Sequence, residues 1–304
     1  METLAVLGPA IDVVGVSKSF RKRRGSAWRG RAEVRKLALD RVWMCVERGE
    51  IVGIVGLNGS GKSTLIRVLA TLTTPDSGTV RIFDRDIIDD AAWVRRHINR
   101  VSVDAAFAKE MSPWENLSFA SRLYGDHAPD RRRRALAALA RLGLPRDTVD
   151  QPMKQLSRGQ QQKVAIARSL LTAPSLLLMD EPTTGLDPRS KREVQSFVRS
   201  LHADTGATVL VCTHDLDEAE ALCGRVLMLD RGRIVADGSP AELRVRHGQT
   251  PGATLEDVFL HLTGRSFGDD REDGDGDGDR EGDGDSESDG NGDAVESRET
   301  EVAR

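Results

Sequence analysis

Nowhere in the 304 residues does a run of apolar side chains approach the roughly 18 to 20 that a membrane-crossing helix needs. Even the run Leu176 to Met179 stops at Asp180, so the chain itself is expected not to span a bilayer. The N-terminus lacks the basic-then-apolar order of a secretory leader. Cysteine is scarce: Cys45, Cys212 and Cys223 show no metal-ligand spacing, which fits reduced thiols in a cytosolic compartment. Apolar residues are almost missing from one segment. From Ser266 to Arg304 there are 16 Asp and Glu against 4 Arg, so this stretch carries −12 and the remaining residues +8 of the net −4. A segment alternating Gly and Asp (Asp273, Gly274, Asp275, Gly276, Asp277) cannot bury enough surface to offset its ordering entropy. A disordered acidic tail over 268–304 is expected. A calcium-binding β-roll is disfavoured, because the large apolar residue such repeats bury is lacking.

What is present is a body with enough apolar residues, 38% of the whole chain, for a substantial core and one or two domains. Ile11 to Val16 and Leu37 to Val46 read as strands. Between them lies a basic run with Arg21, Lys22, Arg23, Arg24, Arg29, Arg31, Arg35 and Lys36 around Trp28. Such density can meet anionic lipid or nucleic acid, but the run lacks helical periodicity, and a solvated hairpin loop is the expected form. Ile51 to Gly56 reads as a strand, and Leu65, Ile66, Val68, Leu69 and Leu72 mark the helix that follows.

Between that strand and helix, Gly56, Leu57, Asn58, Gly59, Ser60, Gly61, Lys62 and Ser63 fit the phosphate-cradling pattern G-x-x-x-x-G-K-[ST]. Glycines let the backbone turn its N–H groups toward phosphate oxygens, and the helix N-terminus adds the positive end of its dipole. Lys62 is placed to reach the β and γ phosphates, and Ser63 to ligate Mg²⁺. A phosphate loop alone leaves kinase, GTPase and motor readings open. The deciding feature is the apolar run Leu176 to Met179, expected as a buried parallel strand, with Asp180 and Glu181 at its carboxyl end. One acid there can hold the Mg²⁺ shell while its neighbour orients and polarises an attacking water, and that pair implies hydrolysis.

At this point the residues resemble the ATP-binding cassette family. Leu156-Ser157-Arg158-Gly159-Gln160 is similar to the family signature, with Arg158 where its first glycine usually stands. Gln161 to Arg168 is similar to the signature helix. Gly185-Leu186-Asp187 resembles the dimer-contact loop, and Thr213-His214-Asp215 follows an apolar strand as the family's switch histidine does. The resemblance covers about Ile11 to Leu243. It implies ATP and Mg²⁺ as ligands, with Phe20, Gly56, Asn58, Gly59, Ser60, Gly61, Lys62, Ser63 and Thr64 binding ATP and Phe20 (with Trp28 as rival) stacking on adenine. Ser63 and Asp180 are implied metal ligands, and Glu181, His214 and Lys62 catalytic residues. Ser157, Gly159 and Gln160 would act in trans across a homodimer, and Asp187 would tie the two sites together.

Counting back from Trp114-Glu115-Asn116-Leu117, which resembles a family helix start, Val103 stands where the family usually places a metal-touching glutamine. Valine cannot ligate a metal, so either Asp104 beside it takes the place, the favoured substitute since Mg²⁺ prefers oxygen anions, or water fills the first shell. The resemblance further implies an α/β P-loop NTPase, with a mainly parallel sheet, an antiparallel β subdomain and a helical subdomain at about 90–170 carrying Trp114, Leu117, Leu123 and the signature. Residues 1–243 would form this cassette and 244–267 a C-terminal helical extension. The ending Gly238 to Leu243, followed by Leu255 to Leu260, resembles single-cassette exporters whose membrane permease is a separate chain. That places the protein on the cytoplasmic face of the membrane, with no nucleic acid expected. The rival is a cytosolic cassette acting on ribosomes or DNA, but neither a second cassette nor a long coiled coil is present.

Overall fold

A strand buried on both faces needs a layer packed on each side, and the apolar runs of this chain receive one. The computed structural model describes residues 8–24, 32–102, 107–123, 130–250 and 252–267, with the backbone alone described at 22–24 and 32–34. All of these lie in one compact unit, Met1–Asp270. The strands are β1 (Ile11–Arg24), β2 (Ala32–Val46), β3 (Ile51–Val55), β4 (Ser77–Ile82), β5 (Arg85–Asp86), β6 (Ile98–Val101), β7 (Leu176–Asp180), β8 (Thr208–Thr213), β9 (Arg225–Asp230) and β10 (Arg233–Gly238). The helices are α1 (Lys62–Leu69), α2 (Ala91–His97), α3 (Pro113–Leu123), α4 (Arg131–Arg141), α5 (Arg158–Ser169), α6 (Pro188–Thr205), α7 (Leu216–Leu222), α8 (Pro240–His247) and α9 (Leu255–Thr263).

Six strands form one sheet in the order β10-β9-β3-β8-β7-β6. Five run parallel, and β10 pairs antiparallel at the edge. The pleat sends successive side chains to opposite faces. Leu177 and Met179, Val209 and Val211, and Val226 and Met228 therefore enter one core layer. Leu176 and Leu178, Leu210 and Cys212, and Leu227 and Leu229 enter the other. The first layer is closed by helices through Leu117, Leu139, Val164, Phe197, Leu243 and Phe259. The second is closed by α1, α2 and a four-stranded antiparallel sheet, β2-β1-β4-β5. Each fully buried Leu or Val contributes about 1.5 to 3 kcal/mol, against about 0 to 1 kcal/mol for an exposed ion pair, so these layers hold the sheet.

Three sequence expectations change. The Arg-rich run 21–36 is not all loop: β1 continues to Arg24 and β2 begins at Ala32, with Phe20 opposite Lys36 and Arg24 opposite Ala32. Antiparallel pairing satisfies backbone groups whatever the side chains are, which a search for side-chain periodicity misses. Within 90–170, Ile98–Val101 pairs in parallel with β7, so this span lends a strand to the main sheet between α2 and α3. Leu117 of α3 is buried, but Leu123, at the end of that helix, is 71% exposed. The C-terminal helices start at Pro240 and pack on the core through Leu255, Val258 and Phe259, with the Phe259 and Phe267 rings 4.6 Å apart. Trp28 and the expected tail 268–304 lie outside the described residues. Among the described residues no helix is long and apolar enough to cross a membrane.

Candidate active site

The loop Gly56–Ser63 leaves the carboxyl end of β3 and opens α1, the place where parallel sheets bind ligands. Two of its glycines are required by close approach. A Cβ on Gly56 would fall 2.2 Å from the Leu229 carbonyl oxygen, and one on Gly61, at φ 114°, 2.5 Å from that of Ala38. Gly59, at φ 75°, has nothing within 4 Å of its Cβ position and forms the open side of the cradle. The first helical bond at the start of α1 runs from the Leu65 N–H to the Gly61 carbonyl, 2.9 Å. The amides of Ser63 and Thr64, ahead of it, have no acceptor within the helix and sit at its positive end. The Ser60 hydroxyl is buried with no hydrogen-bond partner among the described residues. Lys62 Nζ donates to the carbonyls of Gly56 (2.6 Å) and Leu57 (3.1 Å) and lies 4.0 Å from Glu181 Oε1.

Across from the loop, β7 delivers the two carboxylates. Asp180 is buried and accepts from the Ser63 hydroxyl at Oδ1, 3.3 Å, and from Arg100 Nη2 at Oδ2, 3.1 Å. Glu181 turns out of the strand at φ 49°, a conformation that costs a non-glycine residue free energy and is often found where a side chain must be aimed. Its N–H donates to the Cys212 carbonyl, 2.8 Å, and its Oε2 accepts from the Thr184 hydroxyl, 3.0 Å. His214 Nδ1 stands 3.2 Å from the same oxygen. The contact is short but falls outside full hydrogen-bond alignment at Nδ1. His214 holds Glu181 below the ordinary carboxylate value, with burial opposing it, and Glu181 in turn raises His214.

Behind these residues a buried strut joins the two loops. The Thr183 hydroxyl donates to Glu218 Oε1, 2.7 Å, and burial pushes the Glu218 carboxyl up. The Glu218 N–H donates to Asp215, 2.8 Å, and Lys191 pairs with the same aspartate. Arg100, Thr184 and Glu218 were not singled out in the sequence. Arg100 left one trace there, a charge inside the short strand INRV. Glu218 left none, because it reads like any acid at a helix start.

The other expected residues lie apart from this cluster or outside the description. Phe20 is 41% exposed, with the Lys18 ammonium 5.7 Å from its ring centroid. Its strand is pinned by Asp76, which accepts from Lys18 (2.8 Å) and from the Ser19 N–H and hydroxyl (both 2.7 Å) and is thereby lowered to about 2. Ser157 caps α5 in a reciprocal box with Gln160, and the exposed Arg158 guanidinium lies 3.4 Å from the Cβ position of Gly185. A Cβ on Gly159 would stand 3.4 Å from the Ser190 hydroxyl, an ordinary contact. Asp187 caps α6 through the amides of Arg189 and Ser190, 3.0 Å each. Val103 and Asp104 lie outside the described residues.

The family model described as ABC transporter matches residues 39–184. The methionine import ATP-binding protein MetN of Streptomyces avermitilis is 34% identical over 271 residues, which cover 86% of this chain and 74% of that protein. The chain belongs to the ABC transporter family. Another family member, the daunorubicin/doxorubicin resistance ATP-binding protein DrrA of Streptomyces peucetius, is 42% identical over 207 residues, or 68% of this chain; the match spans 62% of that relative's length. The fold is that of the family's ATPase cassettes. A dimeric ATP-binding cassette in a post-hydrolysis state, bound to ADP and Pi, matches at TM-score 0.66 and 28% identity, covering 75% of this chain and 98% of that one.

Proposed function

We propose that the chain is the ATP-hydrolysing subunit of an exporter, working as a homodimer on the cytoplasmic face of the membrane and bound to a separate permease. One observation carries the reading: Lys62, Asp180, Glu181 and His214 converge on a single glycine-rich loop. The amides of that loop and Lys62 hold the phosphates. Ser63 and Asp180 offer Mg²⁺ two oxygen donors of the hard type it prefers, and water and phosphate can complete its shell. When bound, Mg²⁺ supplies neutralisation of phosphate charge. Glu181, kept ionised by His214, orients and polarises the attacking water, and His214 steadies the γ phosphate. Ser157, Gly159 and Gln160 of a second copy close the site, with Asp187 linking the two sites and Phe20 facing adenine. In this reading residues 1–243 are the cassette, 244–267 its helical extension and 268–304 a solvated acidic tail.

Export, rather than import, rests on the exporter-like pattern of Gly238 to Leu243 and Leu255 to Leu260 and on the likeness to a drug-resistance protein. Glu181→Gln tests the chemistry: ATP should still bind and trap a dimer, while hydrolysis falls by about a hundredfold or more, the general-base scale. Full turnover in that variant would remove Glu181 from its role. Co-purification with an integral membrane protein supports the transporter reading. Recovery with RNA and no membrane protein would favour the nucleic-acid or ribosome alternative.

A further inference from the structure

Strand β6 carries a cation, Arg100, in register with the apolar Leu178 of β7. Two-residue alternation puts Ile98 and Arg100 on the face that Leu176 and Leu178 share, and Asp180 is the next residue on that face of β7. Arg100 pairs in register with Leu178, one pleat short of Asp180. A long side chain is what reaches forward from there, and Arg100 Nη2 comes to 3.1 Å from Asp180 Oδ2. The carboxylate is 5% exposed and the guanidinium 23%, so water screens the pair little. With Ser63 on Oδ1, both oxygens of Asp180 are engaged by protein donors. The Arg100 Nε–H is buried and has no partner among the described residues.

The geometry points to Arg100 as a standing counter-cation of Asp180, with which an incoming divalent metal must share the carboxylate, so that Arg100 sets the Mg²⁺ requirement of nucleotide binding. This rests on the reading of Asp180 as the carboxylate of the Mg²⁺ shell. A buried carboxylate without a cation is costly, and arginine keeps its charge at any working pH. Asp180 is therefore compensated before metal arrives, and metal then meets a site that already holds one positive charge. Two consequences of opposite sign follow. Without Arg100 the metal-free fold loses stability, while the metal itself is held more tightly. A residue that only braced the strand would weaken both.

The test is a Mg²⁺ titration of binding of a fluorescent ATP analogue by the full chain, alongside melting of the nucleotide-free protein. Arg100→Met should lower the half-saturating Mg²⁺ by roughly fivefold, since a like charge at this distance is removed from a poorly screened site, while also lowering Tm. Arg100→Lys, which keeps the charge, should stay near wild type in the titration. If Arg100→Met does not fold, Arg100→Gln is read by the same standard. An unchanged or raised Mg²⁺ requirement in the neutral variant overturns the inference. Asp180→Asn in the same titration separates the two readings. If it raises the Mg²⁺ requirement while the Arg100 variants do nothing, only the counter-cation fails. If it too does nothing, the metal role of Asp180 fails with it.

Discussion

The phosphate loop and the signature differ in how much of their surroundings one chain supplies. Lys62, Ser63, Asp180, Glu181 and His214 touch one another across three strands, and most of their polar atoms have partners. Ser157 and Gln160 form a reciprocal cap at the N-terminus of α5, beside an exposed Arg158. One half of the site is finished within the chain, and the other presents a capped helix end to solvent. In the proposed reading the first is a preorganised cradle, and the second is a helix end that completes the site of another copy.

That contrast can be broken by mixing. Lys62→Ala should lose the phosphate clamp and Gly159→Asp should place a carboxylate where the partner's phosphate approaches, each lowering turnover by about a hundredfold or more. A Cβ at this glycine meets ordinary contacts, 3.4 Å from the Ser190 hydroxyl. Mixed together, the two chains should recover hydrolysis that neither has alone, because one composite site per mixed dimer is intact. No recovery in a mixture that does dimerise would show that the signature serves its own loop.

A smaller effect concerns the finished half. Glu181 ordinarily titrates at 4.5 and is lowered here; His214 ordinarily titrates at 6.5 and is raised. The Glu181 contribution is present above 4.5 and fades as pH falls through its lowered value, and the His214 contribution is present below 6.5 and fades as pH rises through its raised value. The pair therefore stabilises most between 4.5 and 6.5. His214 is 37% exposed, so solvent screening keeps the effect under about 1 kcal/mol. The Tm gap between wild type and His214→Ala should be widest in that window and close at alkaline pH; a gap that widens with pH would reject the pairing. The smallest expected effect is none. Deleting 268–304 should leave Tm and ATP turnover unchanged, because that segment has no apolar face; a marked fall in Tm would mean that it packs.

How much of this was legible depended on distance along the chain. The loop Gly56–Ser63 and the pair Asp180–Glu181 are local patterns whose chemistry is written in adjacent residues, and strand β7 announces itself as an unbroken apolar run. Arg100 meets Asp180 from 80 positions away, Glu218 meets Thr183 from 35, and Arg233 meets Asp40 from 193. No local rule selects those partners. The extension of the β1–β2 hairpin was hidden for another reason: backbone pairing there proceeds under side chains that alternate in no useful pattern. Asp187 and Ser157 were legible as motif members, but their capping of α6 and α5 shows that the same side chains also hold the helix ends from which they act.

Lys62 donates two hydrogen bonds to carbonyls of its own loop. To grip a phosphate it must exchange these carbonyls, beside the Glu181 carboxylate 4.0 Å away, for an anionic acceptor. Its contribution to affinity is then the difference between two sets of bonds, not the strength of either, and the loop carries its own reference state. Such a difference grows with the negative charge on the new acceptor. If the proposed reading holds, the lysine acts less as an anchor for whatever enters than as a gauge of charge, responding most where negative charge builds during phosphoryl transfer.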